Sequence, residues 1–150
     1  MSRAAGALRV GTPELRTPAA AMLEACVTSA DPAERSATFV GRMTAVPGSV
    51  SMAIRMGVEE RTSGELGFHS LEDTSTPALG AWRISEPGVK IFKDLKQVTN
   101  LSAAADYRAV VHFRWTSVKG AVVKRETLRT PACRQPAPEG QVGSEGQRDR

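Results

Sequence analysis

The segment Ala105–Thr116, ADYRAVVHFRWT, constrains the fold more than any other stretch of the chain. Read at a period of two, Tyr107, Ala109, Val111, Phe113 and Trp115 fall on one side. Arg108, Val110, His112, Arg114 and Thr116 fall on the other. Successive side chains of a strand point to opposite faces, so this alternation predicts a β-strand with one buried aromatic face and one polar, basic face. Ser117-Val118-Lys119-Gly120 is turn-like and Ala121–Leu128 is again β-rich, which predicts a tight hairpin.

A second strong signal lies upstream. Ala37–Val46 reads as a strand, Pro47-Gly48 as a type II turn pair, and Val50, Met52, Ile54, Met56 and Val58 alternate on the next strand. The pattern predicts a hairpin that presents Phe39, Met43, Met52, Ile54 and Met56 to the core. A methionine-rich face also suits an adaptable binding surface, but at strand spacing it is read as core. Glu59 and Glu60 are adjacent, so a strand sends them to opposite faces and they form no carboxylate pair for acid/base chemistry.

The remaining segments are shorter. Residues 18–28, PAAAMLEACVT, combine helix-favouring and strand-favouring residues and are assigned to a first strand. Leu66–Leu71 reads as a short strand holding Phe68 and His69, Glu72–Pro77 as a polar loop, and Leu79–Ser85 as a segment carrying Trp82. Val89–Val98 reads as a strand in which Ile91 and Phe92 compete for the inner face; one faces outwards unless a bulge intervenes. Seven or eight short strands punctuated by Pro and Gly turns, with no helices between them, predict an all-β antiparallel sandwich.

The expected organisation is a flexible N-terminal arm over residues 1–17 with a short edge segment near Leu8–Val10, a sandwich over 18–134, and a disordered tail over 135–150. A hydrophobic share of 41% is slightly low for a packed domain, and polar flanks account for it. No apolar run approaches the roughly 20 residues of a membrane-spanning helix, so no membrane insertion is expected. The first residues lack the apolar core of a signal peptide. The expectation is a cytoplasmic chain, or an exported one whose signal lies outside this sequence.

The net charge of +4 is unevenly placed: residues 81–134 carry 11 Lys/Arg against 4 Asp/Glu. Arg108, His112 and Arg114, with Lys124 and Arg125 nearby, form the one basic cluster that stands out. It reads either as a polyanion-binding face or as a solvated sheet face whose cations discourage edge aggregation. Tyr107, Phe113 and Trp115 alternate to the opposite side, so base stacking is not expected, and the solvated reading is preferred. The two histidines, His69 and His112, and the two cysteines, Cys26 and Cys133, show no metal-ligand spacing. No nucleophile, phosphate-loop or dinucleotide motif occurs. Neither a catalytic residue, a metal nor a cofactor is therefore assigned.

Leu101 and Tyr107 stand six residues apart across the small-residue corner SAAAD, followed by YRAVVHFRW. This segment, with the terminal cysteine, resembles fibronectin type III and related immunoglobulin-like domains of bacterial extracellular proteins. There a leucine closes a corner between sheets and a tyrosine hydroxyl ties back to its backbone. The resemblance implies that Leu101, Tyr107, Phe113 and Trp115 are structural, and that first and last strands can run side by side and parallel. Cys26 and Cys133, which bracket the domain, could then meet in a disulfide; the alternative is two free thiols. The function implied is a non-enzymatic extracellular structural or interaction domain, with an unidentified protein or cell-envelope partner. A polyanion-binding module is the alternative, and an enzyme with an unfamiliar site the third class.

Overall fold

A computed structural model describes residues 17–71 and 80–138 and is built of β-strands. They are β1 (Ala19–Val27), β2 (Ser36–Thr44), β3 (Ser51–Thr62), β4 (His69–Ser70), β5 (Arg83–Ile84), β6 (Ile91–Thr99), β7 (Ala105–Thr116), β8 (Val122–Arg129) and β9 (Cys133–Gln135). One antiparallel sheet runs β1-β2-β6, and the other runs β4-β3-β7-β8. β5 shares the β4 edge of β3, and β9 shares the β8 edge of β7, so the nine segments fill seven strand positions in a two-sheet sandwich. The edge segment expected near Leu8–Val10, the loop Glu72–Pro77 and the tail beyond Pro138 lie outside the described residues.

β7 has the bounds that its alternation predicts, and Tyr107, Ala109, Val111, Phe113 and Trp115 are all buried. It pairs with β3 along its whole length, from Ser51↔Thr116 to Thr62↔Ala105. Met52, Ile54, Met56 and Val58 therefore share the inner face with it, and Ala37, Phe39 and Met43 of β2 pack against them from the other sheet. The methionine-rich face is core. Gly41 marks the closest approach of the sheets: a Cβ there would stand 2.8 Å from Val111 Cγ1. The hairpin of β7 and β8 also forms, with the Gly120 N–H donating to Ser117 O at 2.9 Å and Gly120 at φ +88°.

The hairpin predicted between β2 and β3 does not form. The Pro47-Gly48 turn is present, with the Ser49 N–H donating to Val46 O at 3.0 Å and Gly48 at φ +88°. It carries the chain from one sheet to the other, because β2 pairs with β1 and β6 while β3 pairs with β7. The predicted inward residues are buried as expected, but from opposite sides of one core. Alternation reports which face of a strand is buried and not which strand lies beside it. In β6 the register with β2 is unbroken, so Phe92 turns inwards and Ile91 is left exposed without a bulge.

Register shifts lie elsewhere: one in β8, where Val123 is extra between the pairs Thr116↔Val122 and Trp115↔Lys124, and one in β1. Leu23 pairs with Phe39 and Ala25 with Thr38, leaving Glu24 as the extra residue. Before it, Ala19, Ala21 and Leu23 stand opposite the inward Met43, Gly41 and Phe39; after it, Cys26 stands opposite the inward Ala37. The inserted residue thus turns an even-numbered side chain to the side that odd-numbered ones occupied. Cys26 is bonded to Cys133, with a Cα–Cα distance of 5.5 Å. The side-by-side pairing expected of the first and last strands does not occur: β1 and β9 belong to different sheets, and the bond clamps one sheet to the other. The sheet also runs one residue past the boundary expected at 134. Gln135 is buried in β9, and its Nε2 donates to Val27 O at 3.1 Å, at the end of β1.

Candidate functional site

The outer face of the larger sheet is a grid set by register. From one end to the other its rows are Ala53–Arg114–Arg125, Arg55–His112–Thr127, Gly57–Val110–Arg129, Glu59–Arg108 and Arg61–Asp106–Arg134. Neighbours within a row are about 5 Å apart and same-face rows nearly 7 Å apart. Arg108, His112, Arg114 and Arg125 all sit on this face, as the alternation implies. Lys124 does not. It pairs with Trp115 and so belongs to the other side, with Nζ 5.9 Å from the Trp115 ring centroid at the sheet margin. Adjacent residues of a strand cannot share a face, which is why Lys124 and Arg125 part.

The grid divides into two halves. In the last two rows each arginine has a carboxylate partner: Arg108 pairs with Glu59 at 2.8 Å, and Arg61 and Arg134 share Asp106 at 2.9 and 3.1 Å. In the first three rows Arg55, Arg114, Arg125 and Arg129 have no carboxylate partner among the described residues. Arg114 and Arg125 stand directly opposite each other, a like-charge cross-strand pair that costs stability. His112, its Nδ1 3.1 Å from Thr127 Oγ1, lies in their midst. Partial burial, then the charges of Arg55 and Arg129, push its pKa below the ordinary histidine value.

Aromatic rings do reach this face, contrary to the expectation from β7 alone. Trp82, from the segment leading into β5, lies against the Arg114 guanidinium, 4.0 Å from ring centroid to Cζ, with Arg55 at 5.9 Å. Arg55 Nε also donates to Gly80 O at 3.0 Å. Phe68, from the segment leading into β4, carries Arg108 at 3.9 Å and Arg61 at 4.5 Å. Tyr107, Phe113 and Trp115 point inwards as read; the outer rings come from chain far away in sequence. Arg129 continues the spacing of Arg125 and was legible by parity, whereas Arg55 and Trp82 needed the pairing of β3.

No family model, curated protein or solved structure matches the chain. The geometry itself therefore carries the functional argument.

At the far end of the sandwich, where β6 crosses to β7, Leu101 is buried and the Tyr107 hydroxyl accepts the Ser102 N–H at 2.9 Å. The hydroxyl donates in turn to Glu60 Oε2 at 2.6 Å. Burial, and then the hydrogen bond to Glu60, raise the Tyr107 pKa above the usual tyrosine value. Glu60 Oε1 lies 3.4 Å from His69 Nε2, so this histidine is engaged far from His112. Among the described residues no three His, Cys, Asp or Glu side chains are placed to hold a metal ion. Tyr107→Phe is expected to lower the unfolding free energy by about 1–3 kcal/mol, because it strands Glu60 and the Ser102 amide as well as removing two bonds. Urea unfolding of both proteins measures it; an unchanged midpoint would show that the hydroxyl contributes nothing.

Proposed function

We propose that the protein is a non-enzymatic structural or interaction module of the immunoglobulin-like type, working outside the reducing cytosol as an exported adhesion, envelope or spacer domain. The observation that carries this reading is the Cys26–Cys133 bond between the sheets. Such bonds persist in oxidising compartments and are rare where glutathione and thioredoxin keep thiols reduced. Two features support the finer assignment to a fibronectin type III arrangement. Three strand positions face four, and the crossing from β6 to β7 is closed by Leu101 and by a tyrosine hydroxyl bonded to the corner backbone. Among the described residues no helix is long and apolar enough to cross a membrane.

The test is a thiol count. Protein directed to an oxidising compartment, unfolded without reductant and titrated for free thiol, is expected to show essentially none. Two free thiols per chain from that compartment would remove the basis for the reading.

A further inference from the structure

We infer that the first three rows of the outer face, centred on Arg114, Arg125, Arg129 and Arg55 with Trp82, bind an anionic polysaccharide. The inference rests on the extracellular reading above for the setting in which such a polymer is met, and on the face itself for the chemistry. Four guanidiniums converge there without a carboxylate among the described residues, while the arginines of the next two rows of the same sheet are all ion-paired. A merely solubilising face has no reason to divide in this way. Like charges set opposite each other, as Arg114 and Arg125 are, repel until an anion lies between them.

Two of the cations are held and two are free. The Trp82 ring lies under the Arg114 guanidinium, with Arg55 farther out at 5.9 Å, and Arg55 is further tied to Gly80 O. A guanidinium resting on a ring keeps its edge N–H groups for a bidentate anion, and less freedom is lost when the bond is made. Arg125 and Arg129 stand exposed on β8 with no partner among the described residues. They are four residues apart, which is about 13 Å along a strand at about 3.3 Å per residue. That span exceeds a single phosphate or sulfate and fits a linear polymer bearing several anionic groups.

The same geometry disfavours nucleic acid. Single-stranded nucleic acid gains affinity by stacking bases on open aromatic faces. Trp82 and Phe68 each already carry two guanidiniums, and Val110, the apolar residue between the cations, is buried. The face offers guanidinium N–H donors spread over three adjacent strands, which suits sulfated or carboxylated sugars.

The experiment uses the full chain with its disulfide verified by thiol titration, so that failure of the bond and failure of the face are read separately. A fluorescent heparin octasaccharide is titrated at about 50 mM salt, beside a single-stranded oligothymidylate of matching charge. Heparin is expected to bind more tightly than the oligonucleotide. Four displaced charges at about 0.7 each give a slope of about −3 in log affinity against log salt. Arg125→Glu with Arg129→Glu is expected to weaken heparin at least tenfold. Lys90→Glu with Lys93→Glu, the same charge change at the start of β6 and just before it, should change it less than threefold. Trp82→Ala alters no charge, yet should weaken binding about threefold by releasing Arg114 and Arg55. The inference is overturned by absence of heparin binding, by equal losses in the two charge-reversed proteins, or by an oligonucleotide that binds as tightly as heparin.

Discussion

Cys26→Ser is expected to lower the unfolding free energy by about 4–5 kcal/mol. The bond closes a loop of 107 residues, and on the chain-entropy model the restriction that such a cross-link places on the unfolded ensemble is about that size. A domain of ordinary stability, about 5–15 kcal/mol, would lose about a quarter or more of it. Cys26 lies on an exposed stretch of β1, whereas Cys133 is fully buried. Cys133→Ser also buries a hydroxyl, but beside Gln135 Nε2 and Ser36 O, and is expected to cost about as much. Urea unfolding without reductant measures both, and the slope against denaturant should rise as the opened chain exposes more surface. A loss below about 1 kcal/mol in Cys26→Ser would show that the sandwich holds its sheets together without the bond.

The second large effect is expected from Trp115→Ala, at about 3–5 kcal/mol. Trp115 is fully buried and stacks on Phe113, with ring centroids 6.3 Å apart. Its Nε1–H also donates to Thr44 O at 2.7 Å, and Thr44 belongs to the other sheet. The side chain thus fills the core and ties the two layers together. Trp115→Phe separates the two roles: it keeps most of the apolar volume but removes the donor, and should cost about 1–3 kcal/mol. If Trp115→Phe destabilised as much as Trp115→Ala, the hydrogen bond would matter more than the volume the ring fills. If both were near neutral, the core would have collapsed around the gap.

The sequence made the central strand legible because one face of β7 is wholly apolar and the other is polar apart from Val110. Burial of Phe39, Met43, Met52, Ile54 and Met56 followed from the same arithmetic. The partnership of β2 and β3 did not, since a Pro-Gly turn serves a crossing between sheets as well as a hairpin. The basic face was half legible. Arg108, His112 and Arg114 lie at strand spacing and Arg125 follows across the hairpin, but ion pairing with Glu59 removes Arg108 from the free cations. Arg55 and Trp82 joined the group only through pairings that no local pattern encodes. Parity separated Lys124 from Arg125, but the register shift at Val123 decided which of them joins Arg114.

The extra residue at Glu24 has a consequence for how the chain matures. If β1 settles against β2 without the bulge, every position after Leu23 is one step out of phase, and Cys26 faces away from Cys133. Such a chain keeps a plausible strand but cannot be oxidised across the sandwich. Closure of the bond therefore proofreads the pairing of the first strand: only molecules in the right phase are locked, and the rest remain reduced, open and free to try again.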